Sequence, residues 1–356
     1  MKSKTPYFEL HLQAFKRNLE RLEHLQQEPN VKILHTLKSF NEPSALTLIG
    51  ERLSGMSISS LKELALAKEA KARHIHLYAP AFKADELSMM QEQVDTVSLN
   101  SLSQWSRFSS LVTQASLGLR VNPKLNLPIP DYCNPNVSYS RLGVDYVEFL
   151  EQYRENPKEF SSLEGLHFHA LFQSSFQGLW LLLEHIENNY QELLPQLKWL
   201  NLGGGHNFTD DSYEVEEFVK RVQAFHSRYE HIELIFEPGE SVVSSCGDFV
   251  TTVLDIVEVA GEKMVILDTS TETHLLDVAI VNLRVNVEGT QPESTPYFYT
   301  LTGNSCLQGD YIGEYFFLEP LKIGSKVRFK NMMGYSMVKM TEFNGMEKAK
   351  FLIVDS

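Results

Sequence analysis

The feature that most constrains the fold is an alternation, between about residue 30 and residue 240, of short apolar runs with segments of helical periodicity. A short apolar run bounded by turn residues is typical of a strand buried on both faces, as in a parallel sheet. The runs cover residues 33–37, 56–59, 74–78, 96–99, 117–121, 165–169, 199–202 and 234–237. Strands that alternate with helices predict repeated βα units, so the expected fold class is α/β.

Helical spacing is clearest between residues 176 and 193, where apolar residues recur every three or four positions before Pro195. The other predicted helices cover residues 12–25, 43–53, 60–71, 84–94, 102–113 and 213–229. Eight strands with intervening helices favour a (β/α)8 TIM-like barrel, although an open doubly wound sheet gives the same local pattern.

The sequence changes character after Gly239, where Val-, Ile-, Thr- and Tyr-rich runs replace the helical pattern. These runs cover residues 249–259, 263–268, 296–302, 326–329 and 350–354. They predict an antiparallel β domain, which the strand-like residues 6–11 could join. We therefore expect a barrel domain at residues 12–240 and a β-rich domain formed by residues 1–11 and 241–356.

The net charge limits the classes of partner. Lys plus Arg number 32 and Asp plus Glu number 46, which gives a net charge of −14. Phosphate backbones and anionic membranes attract basic proteins, so we expect a cationic small molecule as partner, and neither nucleic acid nor a membrane. The sequence predicts no membrane span or export signal, and its three cysteines lack the spacing of a disulfide framework or zinc site. We expect a cytoplasmic location and no bound metal.

Candidate functional groups lie where the predicted strands end, which is where TIM barrels place their active sites. Lys38 ends the first strand, His169 the sixth and Glu237 the eighth. Three glycines follow the seventh strand: Gly203, Gly204 and Gly205. A desolvated lysine amine is a nucleophile, and successive backbone N–H groups can bind an anion.

Each of these residues also has an ordinary structural interpretation. Lys38 could be a solvated strand-end lysine, His169 a core histidine and Glu237 a loop acid, while the glycines could form a tight turn. Their combination favours function, because an amine, a flat stacking partner, a phosphate-binding loop and a carboxylate are the groups that a pyridoxal phosphate site needs.

Twelve segments spread along almost the whole chain carry a family resemblance. They are TPYFEL (5–10), ILHTLKSF (33–40), YAPAFK (78–83), NSLSQW (100–105), LGLRVNP (117–123), SRLGV (140–144), LEGLHFHAL (163–171), NLGGGHN (201–207), FEPGESVV (236–243), LDTSTETHLLDV (267–278), GNSCLQGDYIGEY (303–315) and GYSMVKMTEFNG (334–345). The sequence resembles the fold type III pyridoxal-phosphate decarboxylases, which include ornithine and diaminopimelate decarboxylases. FEPGE and GNSCLQGD are typical of the branch acting on carboxynorspermidine and carboxyspermidine in polyamine biosynthesis.

The resemblance implies an alanine racemase-like barrel with a β domain, pyridoxal 5'-phosphate as cofactor, and a role for each matching residue. Lys38 would bind the cofactor covalently and His169 would stack on its ring. The three glycines would hold the phosphate with help from Tyr335, and Glu237 would pair with the pyridine nitrogen. Arg120 would lie near the ring, although a purely structural ion pair explains it equally well.

The resemblance also implies a proton donor and a homodimer. Cys306 would return a proton to the substrate carbon, and its segment would come from the second subunit, so that two active sites are shared. Without the resemblance, Cys306 would be interpreted as a buried structural thiol, the role we expect of Cys133 and Cys246.

A carboxylated triamine carries two cationic nitrogens beyond its reacting end, so acids should line the substrate site. We expect Glu240 and Asp277 to contact the substrate, with His274 and Asp310 as further candidates, although all of them could be surface groups. Ornithine-type relatives usually have Arg in place of Glu240.

One segment departs from the family pattern: after Leu171, Phe172 and Gln173 stand where the family has Cys-Glu. An amide thus replaces a carboxylate, and the preference between carboxynorspermidine and carboxyspermidine stays open. Two alternative functions also remain: a decarboxylase of ornithine, arginine or diaminopimelate, and a non-catalytic regulator that binds pyridoxal phosphate.

Overall fold

The chain forms two units in the structure, a computed structural model that describes residues 4–355. One unit is Asn18–Val242 and the other is Met1–Arg17 with Val243–Ser356. Residues 1–3 and 356, at the ends of the predicted β-rich domain, lie outside the described residues. The strands are β1 (Tyr7–His11), β2 (Lys32–Thr36), β3 (Gly55–Ile58), β4 (Ile75–Tyr78), β5 (Thr96–Leu99), β6 (Ser116–Asn122), β7 (Val144–Asp145), β8 (Gly165–His167), β9 (Trp199–Asn201), β10 (Glu233–Phe236), β11 (Gly247–Val259), β12 (Glu262–Leu267), β13 (Thr290–Gln291), β14 (Phe298–Thr302), β15 (Tyr311–Phe317), β16 (Lys326–Phe329) and β17 (Lys350–Val354). The α-helices are α1 (Leu12–Gln27), α2 (Pro43–Arg52), α3 (Leu61–Glu69), α4 (Ala84–Gln91), α5 (Leu102–Phe108), α6 (Tyr146–Glu155), α7 (Phe176–Asn189), α8 (Val215–His226), α9 (Glu240–Val243), α10 (Thr271–His274), α11 (Leu276–Val281) and α12 (Tyr335–Val338).

Eight parallel strands of the unit Asn18–Val242 close into a barrel. Their hydrogen-bonded order is β5-β4-β3-β2-β10-β9-β8-β6, and β5 also pairs with β6. This last pairing joins the two ends of the series, so the sheet is closed and the doubly wound alternative is excluded. The predicted (β/α)8 barrel is confirmed, and every predicted strand end lies within two residues of the observed one.

Three of the barrel helices begin at a residue whose side chain caps them. Ser60 and Ser101 precede α3 and α5, and each hydroxyl accepts a hydrogen bond from the backbone N–H three residues later. Helix α6 was not predicted, although the Asp145 carboxylate before it accepts a hydrogen bond from the Val147 N–H, two residues later. Among the described residues, no helix combines the length and apolar character needed to cross a bilayer.

The barrel interior is filled at the end where the strands begin. Trp199, the first residue of β9, donates a hydrogen bond from Nε1 to Ser116 Oγ at 2.8 Å. Its indole occupies space left by two glycines of neighbouring strands: a Cβ would lie 2.0 Å from Trp199 Cε2 at Gly165, and 2.3 Å from Cη2 at Gly118. The tryptophan and the glycines therefore form a dense floor, and the functional groups gather at the opposite end.

The second unit is built on a sheet with the order β13-β15-β14-β12-β11-β1-β17, in which β16 also pairs with β11. Strand β1 pairs antiparallel with β11 and parallel with β17. The predicted antiparallel β domain is confirmed, with β1–β17 and β12–β14 as parallel pairs within it. Helices α10, α11 and α12 were not predicted, because four to six residues are too few to display a helical period.

Candidate active site

The turn after β2 places Lys38 at the end of the barrel opposite the floor. Ser39 Oγ donates to the Thr36 carbonyl at 2.7 Å, and Thr36 Oγ1 donates to the Glu237 carbonyl at 2.8 Å. These bonds fix the turn against the segment that follows β10. Lys38 lies in the wall of a cavity of about 490 Å³.

The electrostatic surroundings of Lys38 lower the pKa of its amine. Part of the side chain meets solvent in the cavity, but the protein atoms around the amine remove much of its hydration, which is the largest cause of the shift. The charge of Arg120 acts in the same direction, and that of Glu237 opposes it. A lowered pKa increases the fraction of neutral, nucleophilic amine, as covalent attachment of a carbonyl cofactor requires.

Glu237 follows β10 and is buried, with 4% of its surface exposed. Its Oε1 accepts a hydrogen bond from Asn201 Nδ2 at 2.8 Å. His76 Nε2 lies 3.8 Å from Oε1, and His167 Nε2 lies 3.6 Å from Oε2. Among residues 4–355, no donor lies within 3.5 Å of Oε2, which is therefore open to a further donor such as a protonated ring nitrogen.

Sequence reasoning missed the two histidines beside this carboxylate. The rings of His76 and His167 meet edge to face at 5.3 Å, and burial lowers the pKa of both, so they are neutral near pH 7. A signal existed, because residues 167 and 169 are two positions apart and a strand points such residues to one side. The choice of His169 alone overlooked that alternation.

His169 is held at the barrel mouth by two backbone contacts. Its Nδ1 accepts a hydrogen bond from the Gly204 N–H at 3.2 Å, and its carbonyl accepts one from Arg120 Nη2 at 3.4 Å. Burial, with the charges of Lys38 and Arg120, holds the pKa of His169 well below its usual range. The ring is thus neutral and fixed in orientation, as a stacking partner requires.

The glycine run is needed for steric reasons. Gly203 and Gly205 have φ of +67° and +86°, and a Cβ at Gly205 would lie 2.1 Å from the Leu171 carbonyl oxygen. The N–H of Gly203 donates to Asn201 Oδ1 and that of Gly204 to His169, so these two are already used within the protein. Within the described residues, the N–H of Gly205 has no acceptor. The loop therefore offers an anion fewer free N–H groups than its sequence suggests.

Arg120 packs against a tyrosine ring, where a structural ion pair was the alternative expectation. The guanidinium carbon lies 4.7 Å from the ring centroid of Tyr78, whose hydroxyl donates to Asn100 Oδ1 at 2.7 Å. The side chain also lines the cavity that contains Lys38 and His169. Arg120 is thus a packed structural cation and a charged part of the cavity wall.

The groups at the barrel mouth fit the predicted cofactor. They comprise a nucleophilic amine, a fixed neutral ring, a buried carboxylate with one open oxygen, and a loop that admits only glycine. His167, His169 and Glu237 also hold three ligand atoms within 4.8 Å of one another, a spacing that a metal ion could bridge. A metal site would leave Lys38 without a role, whereas pyridoxal phosphate uses every one of these groups.

The cysteines lie in three different settings. Cys306 is exposed in the loop between β14 and β15, and its backbone N–H donates to Asn344 Oδ1 at 2.8 Å. Cys246 is buried, as a packing role requires. Cys133 is half-buried and lines the cavity beside Lys38, which packing alone did not suggest.

Two of the predicted substrate residues are occupied by bonds within their own unit. Asp310 is 5% exposed; its Oδ1 accepts from the N–H and hydroxyl of Thr271, and its Oδ2 accepts from the Ser305 N–H. His274 is buried between Thr269 Oγ1 and the Glu347 carbonyl, at 3.0 Å from each. These bonds favour structural roles for both residues.

Asp277 forms an ion pair with Lys339, at 2.5 Å from Oδ1 to Nζ. The same ammonium lies 5.0 Å from the ring centroid of Tyr335, at the start of α12. Asp277 and the predicted phosphate ligand Tyr335 thus both contact the ammonium of Lys339, which already balances the charge of Asp277.

Glu240 is exposed at the start of α9, where both carboxylate oxygens accept a hydrogen bond from Gln173 Nε2, at 3.2 and 3.3 Å. Phe172 lines the cavity that contains Lys38. The segment that departs from the family pattern therefore joins the cavity wall to a predicted substrate acid.

Comparison with known proteins shows which family the chain belongs to. Residues 12–244 match the family model described as "Pyridoxal-dependent decarboxylase, pyridoxal binding domain". A carboxynorspermidine/carboxyspermidine decarboxylase of Campylobacter jejuni is 36% identical over 99% of this chain and 94% of that protein. A carboxyaminopropylagmatine decarboxylase of Synechocystis is 35% identical over 96% of this chain and 87% of that protein.

Solved structures give the same result. The crystal structure of carboxynorspermidine decarboxylase from Campylobacter jejuni, complexed with norspermidine, superposes with a TM-score of 0.88 at 34% identity, covering 99% of this chain and 94% of that one. Diaminopimelate decarboxylase from Helicobacter pylori superposes with a TM-score of 0.84 at 19% identity, covering 99% and 92%, and so supports the fold alone.

Proposed function

Because the chain belongs to the pyridoxal-dependent decarboxylase family, a family of carboxy-lyases that use pyridoxal 5'-phosphate, we propose that it converts carboxynorspermidine or carboxyspermidine to norspermidine or spermidine. The observation that carries the proposal is its similarity, over nearly the whole chain, to a decarboxylase of these substrates. The net charge of −14 supports a polycationic substrate.

Bound pyridoxal phosphate supplies an electron sink for the carbanion that loss of carbon dioxide leaves behind. Lys38 would hold the cofactor through its amine, and the fixed ring of His169 would pack against it. Glu237 Oε2 would accept a hydrogen bond from the protonated ring nitrogen, and the neutral histidines beside it leave the negative charge of the carboxylate uncancelled. The loop of Gly203, Gly204 and Gly205 would bind the phosphate, chiefly through the N–H of Gly205, and the part expected of Tyr335 stays a prediction.

We assign Cys306 as the proton donor, acting from its Sγ to the substrate carbon. Its exposure within its own unit fits a group completed by a second subunit, so we propose a homodimer with shared active sites. We take residues 12–240 as the cofactor domain and place the enzyme in the cytoplasm. Glu240 is the leading substrate acid; Asp277 would have to share its charge with Lys339.

The experiment is a panel of substrates. Purified protein with pyridoxal phosphate is incubated with carboxyspermidine, carboxynorspermidine, ornithine, arginine and diaminopimelate, and carbon dioxide release is measured. We expect release from the first two alone. Release from none of them, nor from carboxyaminopropylagmatine, in protein that retains the cofactor, would favour a regulator.

The identity of the attachment residue is tested separately. Borohydride reduction followed by peptide mass spectrometry should place the cofactor on Lys38, and the variant Lys38→Ala should incorporate none. If the Lys38→Ala protein gave as much peptide carrying the reduced cofactor as the parent does, another lysine would be the attachment site.

A second candidate function is decarboxylation of carboxyaminopropylagmatine. The Synechocystis relative with that activity is almost as similar to this chain as the Campylobacter jejuni enzyme. The two substrates differ at the distal end, where one has an amine and the other a guanidine. Both belong in the panel for that reason.

A further inference from the structure

The contact between Gln173 and Glu240 bears on this choice between substrates. Gln173 Nε2 lies almost equally far from the two carboxylate oxygens, at 3.2 and 3.3 Å, so a single amide nitrogen faces both. The reverse orientation of the amide would bring its oxygen against the carboxylate, so the chemistry fixes the assignment.

The pair lies between two segments that build the candidate active site. Glu240 follows Gly239, where a Cβ would lie 2.5 Å from Ser39 Oγ, and Ser39 follows Lys38 directly. On the other side, the N–H of Ser174 donates to the Gly205 carbonyl at 2.7 Å. Gln173 therefore adjoins the glycine loop, and Glu240 adjoins the lysine turn.

The backbone of Gln173 supports a functional interpretation. Its φ of +42° lies in the left-handed region, which costs free energy in a residue other than glycine. Such conformations persist where neighbouring structure fixes them, and they concentrate at functional sites. Here the strained residue is the one whose side chain reaches Glu240.

Occupation of both carboxylate oxygens has different consequences for the two kinds of distal cation. A guanidinium binds a carboxylate best through two parallel hydrogen bonds, one to each oxygen. The Gln173 amide takes up both oxygens and so competes with that arrangement. An ammonium is a compact charge with rotatable donors, so it can use one remaining lone pair together with the Gln173 carbonyl oxygen.

We propose that Gln173, by bridging the two oxygens of Glu240, makes the site select substrates with a distal ammonium over substrates with a distal guanidinium. The inference rests on the proposed function, since it concerns the substrate of that same site. The segment of Phe172 and Gln173, which departs from the family pattern, would thus act in substrate specificity and not in catalysis.

The test compares carboxyspermidine with carboxyaminopropylagmatine as substrates of the cofactor-loaded enzyme. We expect the parent to have the higher kcat/KM for carboxyspermidine. Gln173→Met keeps the side-chain length but removes the amide, and should reduce the preference by about tenfold, the effect of one hydrogen bond to a charged group. Most of the change should appear as a lower KM for the guanidino substrate.

Two controls separate this role from a general effect. Gln177→Met makes the same change at an exposed position of α7 and should leave the preference unchanged. Glu240→Gln should weaken both substrates. An unchanged preference in Gln173→Met, or a parent that prefers the guanidino substrate, would overturn the inference.

A binding measurement keeps the inference testable if no decarboxylation occurs. Absence of carbon dioxide release from both substrates would reject the proposed function alone. Calorimetry with spermidine and aminopropylagmatine, the decarboxylated products, then measures the same preference without turnover. Equal affinity of the parent and Gln173→Met for each amine would reject the inference itself.

Discussion

The predicted site residues of the barrel and those of the second unit differ in how their polar atoms are used. At the barrel mouth, Glu237 keeps one oxygen open and Lys38 faces a cavity. In the other unit, Asp310 has both oxygens bonded and Asp277 is paired with Lys339. Acids that look alike in the sequence thus differ in whether an oxygen is free to accept a hydrogen bond from a ligand. Among these three acids, an open hydrogen-bonding position, and not residue type, distinguishes the one that can meet a ligand at the barrel mouth.

The largest effect should come from Cys306, an exposed residue of the second unit. We expect Cys306→Ala to lower kcat by about 10²- to 10⁴-fold, the range for loss of a positioned proton donor. Because the side chain is exposed, the thermal unfolding midpoint should stay unchanged. Leu307→Ala, in the same exposed loop, is the control. A fully active Cys306→Ala enzyme would remove Cys306 from the mechanism.

A smaller effect concerns His35, a fully buried barrel residue whose Nε2 contacts the Phe40 carbonyl at 2.7 Å. Burial lowers its pKa from 6.5 to about 4. Between these values the unfolded chain binds more protons than the folded one, so stability falls as pH falls, by on the order of 3 kcal/mol in total.

The variant His35→Gln keeps a donor for that carbonyl but does not titrate. Urea unfolding at pH 7, 6 and 5 should therefore show a shallower loss of unfolding free energy than in the parent. The exposed His24→Gln is the matched control and should keep the parent's slope. Equal slopes in His35→Gln and the parent would mean that folding does not lower the pKa of His35.

Asp310 tests the occupied side of the comparison. Asp310→Asn puts an amide donor opposite donors that are already buried, so the free energy of unfolding should fall by about 2 kcal/mol. Denaturant titration measures this loss. If the variant were as stable as the parent but had a raised KM, Asp310 would have to be reassigned to substrate binding.

The smallest effect separates Glu240 from Asp277. Glu240→Gln should raise KM for carboxyspermidine by about tenfold, through loss of one charged contact. Asp277→Asn should change KM less than twofold, because Lys339 already compensates that charge. Steady-state kinetics of both variants under one set of conditions decides; a larger effect at Asp277 would reverse the contrast.

The fold was largely predictable because each barrel strand is a short run buried on both faces, which a sequence displays directly. Strand ends such as Lys38 and Glu237 follow from that pattern. Barrel closure depends on the pairing of β5 with β6, which no local signal contains. Short elements such as α10 gave no period to detect.

The candidate site was predictable where chemistry coincides with a strand end, and less so where it depends on contacts distant in sequence. The bond from Gln173 to Glu240 joins residues 67 positions apart, and that of Asp310 to Thr271 joins residues 39 apart. The alternation of residues 167 and 169 could have pointed to His167, but its contact with Glu237 joins β8 to the end of β10, which the sequence does not display. Availability of polar atoms is a tertiary property, so the sequence could nominate acids but not rank them.

The packing of Trp199 against Gly118 and Gly165 closes the barrel interior at the end where the strands begin. Substrate, carbon dioxide and the polyamine product must then all enter or leave at the opposite end, where Lys38 lines the cavity. A product molecule that stays bound there therefore blocks the binding of the next substrate molecule. We therefore expect the product to inhibit the enzyme competitively with respect to substrate. Product release should then limit turnover when the product accumulates.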